Sequence, residues 1–210
     1  MNESPYFSVI IPTYNRKGML TRALDSLIFQ TEKNWEGIIV DDGSDDNTFY
    51  HISSYLEKET RIKYVRQANF GAALAKNKGI ASASGVFLTF LDSDDEYHSI
   101  HLESRKKILM KHPDVKFIYG GIKIIGEPFV PDRFDTDKKI HLDKCVIGGT
   151  FFIERNLLRS LNGFKNIMIG EDAELFDRIG ELNIKKLKVE DPTYIYRHDT
   201  KDSVTNSFKL

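Results

Sequence analysis

The chain has 210 residues, of which 40% are hydrophobic and 29% charged, and its formal net charge is −1. This apolar content excludes disorder as the main state, and the balanced charge excludes a general binder of nucleic acid, which needs a basic surplus. The length predicts one domain, and the single Cys145 cannot form an internal disulfide, which fits a reducing compartment.

The first half of the chain alternates between apolar runs and helical patterns. Runs rich in β-branched residues predict buried strands over Phe7–Ile11, Glu36–Val40, Arg61–Val65 and Val86–Leu91. Helical spacing predicts helices over Met19–Ile28 (with Asn15 as N-cap), Asn47–Glu59 and Gly71–Ala83. This alternation indicates a Rossmann-like parallel sheet with right-handed crossovers.

The second half is less regular. It predicts helices over Ser99–Lys111, Glu154–Leu161 and Glu171–Leu182, and strands over Val115–Tyr119, Lys185–Val189 and Thr193–Arg197. We expect His98 and His101 on an exposed helix face. The charged stretch Glu127–Asp143, which carries Pro128 and Pro131, predicts an irregular flap that is mobile without ligand and borders the functional site.

Polar loops follow three of the predicted strands: Pro12–Asn15, Asp41–Ser44 and Asp92–Asp95. In an open parallel sheet such loops project from one edge, where ligands bind. Asp92 and Asp94 are two residues apart, so both carboxylates can face one ligand. Carboxylate oxygens suit Mg²⁺ or Mn²⁺ with substrate phosphates completing the shell, although an acidic solvated turn explains the same residues.

Two further acidic pairs have both structural and functional interpretations. Asp41 and Asp42 can bind a ribose or a base, or cap the following helix. Glu171 and Asp172 open a predicted helix, where the dipole favours acidic residues, but one of them can also act as a general base. The sequence lacks the G-x-G-x-x-G, P-loop, H-E-x-x-H, C-x-x-C and G-x-S-x-G motifs, so it does not support the enzyme classes that depend on them.

The longest run without a charged residue, Gly79–Leu91, falls well short of the ~20 apolar residues of a membrane-spanning helix. The N-terminus lacks the basic region of a signal peptide. We therefore expect a cytoplasmic protein without a transmembrane segment, with peripheral contact at the inner face of the membrane left open.

Several segments in order, FSVIIPTYNR, IIVDDGSDDNT, ANFGAALAKNKGIASASGVFLTFLDSDDEY, GGTFFIERNLLRSLNGF and GEDAELFDRI, resemble family 2 glycosyltransferases of the GT-A fold. The resemblance runs from about Phe7 to Ser203. It implies an α/β GT-A fold, in which a Rossmann-like, mostly parallel central sheet is flanked by helices. It also implies a single domain over 1–210 with an acceptor-side elaboration, the nucleotide-sugar half lying at about 1–97 and the acceptor half at about 98–210.

The resemblance also implies residue roles. Asp172, with Glu171 beside it, matches the catalytic base of the family. Asp94 and Asp92 match the D-x-D metal ligands, and His198 matches a histidine that completes the metal shell in some members; a histidine at the rim of the site is the alternative. The implied substrate-binding residues are Pro12, Thr13, Tyr14, Asp41, Asp42, Lys76, Asp92, Ser93 and Gly149.

The implied function is that of an inverting, metal-dependent glycosyltransferase using Mn²⁺ or Mg²⁺. It would move one sugar from a nucleotide-diphosphate sugar, with a UDP-sugar favoured, to a hydroxyl of a glycan or lipid-linked acceptor in cell-envelope polysaccharide biosynthesis. Two alternatives remain. A sugar nucleotidyltransferase is disfavoured because no glycine precedes Gly18 in the loop after the first strand. A non-catalytic nucleotide-binding module is disfavoured by the presence of both acidic motifs.

Overall fold

The computed structural model describes residues 4–132, 135, 137–167 and 169–199. Its strands are β1 (Phe7–Thr13), β2 (Trp35–Asp41), β3 (Ile62–Arg66), β4 (Phe87–Phe90), β5 (Glu96–Tyr97), β6 (Val115–Gly126), β7 (Phe129–Pro131), β8 (Lys139–His141), β9 (Phe152–Glu154) and β10 (Lys185–His198). Its helices are α1 (Lys17–Ile28), α2 (Thr48–Lys58), α3 (Ala72–Ser82), α4 (His101–Lys111), α5 (Arg155–Ser160) and α6 (Glu171–Gly180), with 3₁₀ turns at Leu142–Lys144 and Gly148–Thr150.

Eight strands form one sheet in the order β3-β2-β1-β4-β9-β6-β10-β5. The neighbours among β1 to β4 are all parallel, as the alternating pattern predicts. β6 and β10 are also parallel, whereas β9 runs antiparallel to both β4 and β6. The predicted α/β fold with a mostly parallel central sheet is therefore confirmed, and the sheet continues through both halves of the chain.

The strand order reverses at β1, because β2 and β3 extend to one side of it and β4 lies on the other. Such a switch point opens a crevice at the carboxyl ends of the strands. β1, β2 and β4 are buried throughout, which is why their sequences are continuous apolar runs rather than alternating ones. Helix α3 packs closely over β1: a Cβ on Gly79 would overlap the Ile10 side chain.

Three local predictions are wrong. Asn15 does not cap α1, which begins one residue later after Arg16; instead the Asn15 side-chain oxygen accepts a hydrogen bond from the Asp45 N–H at 2.9 Å. His101 is fully buried, with its ring centroid 4.1 Å from that of Tyr97, whereas His98 is exposed. The two predicted C-terminal strands are one strand, β10, with an irregularity between Val189 and Tyr194.

Two segments of the stretch Glu127–Asp143, which is predicted to be irregular, form regular strands. β7 and β8 form a two-stranded antiparallel hairpin in which Val130 pairs with Ile140. Residues 133, 134 and 136 in this stretch, and the end of the resembling region at 200–203, lie outside the described residues. In the ranges that the structure describes, no helix has the length and apolar character that crossing a membrane requires.

Candidate active site

A cleft of about 1160 Å³ opens at the carboxyl ends of β1, β2 and β4. Its lining includes Pro12–Arg16, Asp42 and Asp92–Asp95, so the three predicted loops do converge on one site. The N-terminal part of α3, the hairpin with the segment after it, and the start of α6 complete the wall. The sheet thus gathers residues that are up to 185 positions apart in the chain, from Pro12 to Arg197.

The loops after β1 and β2 form one end of the cleft. Pro12, Thr13 and Tyr14 line it, and the Tyr14 ring is 45% exposed. Asp42 also lines it, but its carboxylate already accepts hydrogen bonds from the N–H groups of Phe70 (2.9 Å) and Gly71 (2.7 Å) and from the Gln67 side chain (2.8 Å). Asp42 therefore fixes the loop that leads into α3 while it faces the cleft.

Asp41 is placed differently from its neighbour. It is buried, and its carboxylate accepts hydrogen bonds from the Ser44 N–H at 2.7 Å and from the Tyr64 hydroxyl. It does not line the cleft. The structure gives Asp41 a role in shaping the loop after β2, and the prediction that it binds substrate is not supported by its position.

The loop after β4 forms the acidic end of the cleft, where Asp92, Ser93, Asp94 and Asp95 all contribute to the lining. Burial raises the pKa of Asp92 to about 6; Lys76 opposes this shift, and the nearby carboxylates, beginning with Asp172, add to it. The Asp94 carboxylate forms an ion pair with Arg16. This end of the cleft therefore concentrates more negative charge than its own cations neutralise.

Asp95 attaches the acidic loop after β4 to strand β10. Its carboxylate accepts hydrogen bonds from the Tyr194 hydroxyl at 2.6 Å and from the Arg197 N–H at 2.7 Å. Burial, with the charges of Asp94 and Asp92, raises its pKa well above the ordinary value. β10 thus supports the loop that carries Asp92 and Asp94.

The predicted three-residue metal shell is not assembled. The His198 ring nitrogen Nδ1 lies 2.7 Å from the Glu127 carbonyl oxygen, and His198 does not line the cleft. Among the described residues, no group of three or more His, Cys, Asp and Glu side chains could hold a metal ion. Asp92 and Asp94 still fit a divalent cation, because one or two carboxylates suffice when phosphates complete the shell. Burial is the main cause of the raised pKa of Asp92, and a cation would offset the smaller contribution of the neighbouring carboxylates.

Lys76 joins the acidic end to α6. Its Nζ lies 2.8 Å from Asp172 Oδ1 and 3.2 Å from Glu171 Oε1, and the lysine is only 3% exposed. Burial on its own lowers the pKa of Lys76, but Asp172, Asp92 and Glu171 outweigh that effect and raise the pKa above its usual value. Lys76 is therefore a charged side chain between the candidate base and the candidate metal ligands.

The second oxygen of Asp172 is also fixed. Oδ2 accepts a hydrogen bond from the Gly148 N–H at 2.9 Å, and a Cβ on Gly148 would overlap this carboxylate. Gly170, in the left-handed conformation with φ of 83°, starts α6 and turns both acidic residues toward the cleft. Asp172 is thus oriented by two contacts and remains part of the cleft lining.

Gly149 does not have its predicted position. It is buried and does not line the cleft, and a Cβ there would overlap the ring and hydroxyl of Tyr194. Its neighbour Gly148, rather than Gly149, contacts the site. Sequence reasoning also missed Arg16, Tyr194 and Gly148 as parts of the site, because their roles arise from contacts between distant segments.

The hairpin borders the cleft, as predicted for the stretch Glu127–Asp143. The hairpin and the segments that follow it give the cleft an apolar wall. The apolar residues of this wall are Val130, Ile140, Leu142, Val146, Ile147, Ile167, Ile169 and Phe176. This wall contrasts with the acidic end. The cleft therefore has a charged part at the sheet edge and an apolar part between the hairpin and α6.

The sequence of this chain is similar to those of known proteins. The sequence model described as Glycosyl transferase family 2 matches residues 8–167. The chain is 33% identical over 156 residues to the UDP-Glc:alpha-D-GlcNAc-diphosphoundecaprenol beta-1,3-glucosyltransferase WfgD of Escherichia coli, covering 72% of this chain and 61% of that protein. It is 30% identical over 212 residues to an uncharacterized glycosyltransferase of Haemophilus influenzae, covering 94% and 70% respectively.

The fold is also similar to solved structures. S. aureus TarS 1–349 in complex with UDP superposes with a TM-score of 0.75 and 25% sequence identity, covering 91% of this chain and 60% of that one. The chain spans 61% of the length of the Escherichia coli relative.

Proposed function

Since the chain belongs to glycosyl transferase family 2, we propose that it is an inverting, metal-dependent glycosyltransferase that moves one sugar from a nucleotide-diphosphate sugar to an acceptor hydroxyl. The observation that carries the proposal is the convergence of two acidic motifs on one cleft. Asp92 at the end of β4, and Asp172 and Glu171 at the start of α6, all act on the cation of Lys76, and Asp94 lines the same cleft. The residues after β4 would thus act on the leaving group, and the residue at the start of α6 would activate the acceptor.

The favoured donor is a UDP-sugar. The Escherichia coli relative is named for UDP-Glc, and TarS is described in complex with UDP. In this chain the nucleoside would lie against Pro12, Thr13 and Tyr14, with Asp42 beside them. A partly exposed tyrosine next to a carboxylate offers a base both a surface to stack on and a hydrogen-bond acceptor.

The Asp172 carboxylate would act as the general base. It takes the proton from the acceptor hydroxyl as that oxygen forms a bond to C1 of the donor sugar. The bond between C1 and the diphosphate oxygen breaks on the opposite face, and its electron pair goes to the leaving diphosphate. Lys76 and the Gly148 N–H keep the carboxylate oriented through this step.

Asp92 and Asp94 would hold the divalent cation, Mn²⁺ or Mg²⁺, which when bound neutralises negative charge on the leaving diphosphate. Ser93 lies between them and lines the same part of the cleft. The residues proposed to serve the leaving group thus lie after β4, and the proposed base lies at the start of α6.

The acceptor would enter along the apolar part of the cleft. Val130 and Ile140 from the hairpin and Phe176 from α6 give this part a surface suited to an acceptor with an apolar portion. The Escherichia coli relative is named for a diphosphoundecaprenol acceptor. We propose a glycan or lipid-linked acceptor of cell-envelope polysaccharide biosynthesis, with the protein working in the cytoplasm in peripheral contact with the membrane.

Thermal-shift and calorimetric binding of UDP, GDP, dTDP and CMP sugars, with and without Mn²⁺, test the proposal. A ligand at 100 times its dissociation constant should stabilise the fold by about 2.7 kcal/mol. Asp94→Asn should remove the Mn²⁺-dependent part of UDP affinity. The matched control Asp114→Asn, whose carboxylate pairs with Lys185 outside the cleft, should keep it. Stabilisation of the wild type by none of these nucleotides would contradict the proposed function.

A further inference from the structure

Arg16 carries a contact that the sequence did not indicate. It is the residue that precedes α1, and its carbonyl oxygen accepts hydrogen bonds from the N–H groups of Met19 and Leu20, both at 3.0 Å. Its guanidinium lines the cleft and forms an ion pair with the Asp94 carboxylate. A single side chain therefore connects the loop after β1 to the proposed metal ligand.

The N-terminus of α1 does not favour the charge of Arg16. A cation at the N-terminus of a helix is disfavoured by the helix dipole, and α1 has no acidic residue in its first turn. The next residue, Lys17, is also basic. Asp94, in the loop after the neighbouring strand β4, supplies a compensating negative charge.

The other cations that line the described part of the cleft have different positions. Lys76 contacts Glu171 and Asp172 on α6. Arg197 contacts Glu96 and, at 3.2 Å, Asp199. Lys144 belongs to the segment after β8, away from the sheet-edge loops. Of these four side chains, Arg16 is the one that pairs with the Asp94 carboxylate; Arg22, which does not line the cleft, donates a hydrogen bond to the Asp94 carbonyl oxygen at 2.7 Å.

We propose that Arg16 exchanges partners when the donor binds. In the donor-free protein its guanidinium neutralises Asp94; when a nucleoside diphosphate and a divalent cation enter, Asp94 turns to the cation and Arg16 pairs with a diphosphate oxygen. The geometry of a guanidinium suits phosphate as well as carboxylate. The inference rests on the proposed function, since it requires a diphosphate at this end of the cleft.

The exchange has two opposite consequences for binding. Before the donor arrives, Arg16 and the divalent cation compete for the same carboxylate, so Arg16 weakens the binding of free metal. Once the diphosphate is present, Arg16 strengthens its binding. A residue with only a structural role would not change the two affinities in opposite directions.

Arg16→Gln separates these effects. Mn²⁺ binding to the nucleotide-free protein, followed by electron paramagnetic resonance of the free ion, should become about fivefold tighter or more. UDP binding in the presence of Mn²⁺, measured by calorimetry, should become about tenfold weaker or more. Arg16→Lys should lie between the wild type and Arg16→Gln in both measurements. Arg61→Gln, which removes an arginine–carboxylate pair with Glu59 outside the cleft, should change neither.

An Mn²⁺ affinity that stays the same or falls in Arg16→Gln would overturn the competition at Asp94, and an unchanged UDP affinity would overturn the contact with the diphosphate. If the wild type binds UDP, either result leaves the proposed function intact. A wild type that binds no nucleoside diphosphate would overturn the proposed function together with this exchange.

Discussion

Replacing Lys76 by methionine keeps a long unbranched side chain but removes the charge at the centre of the site. The lysine Nζ lies 2.8 Å from Asp172 Oδ1, 3.2 Å from Glu171 Oε1 and 4.9 Å from the centroid of the Phe164 ring. The apolar stem would still pack in Lys76→Met. The two carboxylates of α6, and Asp92 nearby, would lose the cation that balances them.

The size of the effect follows from burial. Removing one partner of a buried ion pair costs about 3–5 kcal/mol, because the remaining charge is left uncompensated. Here the side chains of Glu171 and Asp172 are 20% and 22% exposed, so water screens part of the repulsion between their charges. We therefore expect Lys76→Met to lower the free energy of unfolding by about 2–4 kcal/mol.

Urea denaturation followed by circular dichroism measures this loss. The double variant Lys76→Met/Asp172→Asn should be more stable than Lys76→Met alone, since it also removes an uncompensated carboxylate. Lys165→Met is the matched control: its Nζ lies 2.6 Å from Glu174, but the lysine side chain is 61% exposed, and such a pair contributes about 0–1 kcal/mol.

Two results would refute this reasoning. One is a Lys76→Met variant whose stability stays within about 1 kcal/mol of the wild type, comparable with a surface pair. The other is a double variant that is no more stable than the single one, which would mean that the loss does not come from unbalanced charge.

Three further predictions concern the glycine behind the site, the sheet and the hairpin. Gly149→Ala should lower the free energy of unfolding by about 1–3 kcal/mol, because its Cβ overlaps Tyr194, whereas Gly18→Ala, where no atom lies within 4 Å, should not; equal urea midpoints for the two would contradict the packing argument. Burial alone would raise the pKa of Glu36, but Lys63, Ser8 and Ser84 outweigh it and lower it to about 2. The resulting stabilisation, up to about 3 kcal/mol, should be present above the ordinary value near 4.5 and lost as the pH falls toward 2; Glu36→Gln should flatten this dependence in acid titrations, and an equally steep profile would count against it. In the two hairpin strands, amide exchange over Phe129–Pro131 and Lys139–His141 should be fast in the free protein and slower with UDP-sugar and Mn²⁺; slow exchange that does not respond to ligand would refute a mobile flap.

Much of the first half of the chain could be predicted from sequence because its signals are local. The apolar runs of β1, β2 and β4 are continuous since both faces are buried, and each strand carries its functional loop directly after it. A parallel sheet then leaves one edge for all three loops. Asp92, Asp94 and Asp42 reach the cleft for this reason, without any information about distant contacts.

The rest depends on contacts between segments that are far apart in the chain. β9 inserts between β4 and β6 in antiparallel fashion, and its three residues, Phe152–Glu154, leave little periodicity to detect. His101 is buried because the start of α4 packs near β10, where His101 Nδ1 lies 2.8 Å from Thr193 Oγ1. A histidine among charged residues gives no sequence signal of that burial.

The candidate site also combines features that the sequence predicts with features that depend on distant contacts. The position of Asp172 at the start of a helix could be predicted, but its contacts with Lys76 and Gly148 could not, since they join residues 96 and 24 positions apart. Gly149 was assigned to substrate from its place in a motif, whereas its small size accommodates Tyr194. No feature of the sequence distinguishes Arg16 from the other arginines of the chain.

The central claim is that Asp172 is the base of a sugar transfer that takes place in this cleft. The most direct measurement is UDP release from UDP-glucose with a panel of sugar acceptors, compared between the wild type, Asp172→Asn and Glu171→Gln, with UDP affinity in the presence of Mn²⁺ measured on the same proteins. We expect Asp172→Asn to lower the rate by about 10²–10⁴ while UDP affinity changes only a few-fold, and Glu171→Gln to have a milder effect. Turnover of Asp172→Asn within a few-fold of the wild type would contradict the central claim.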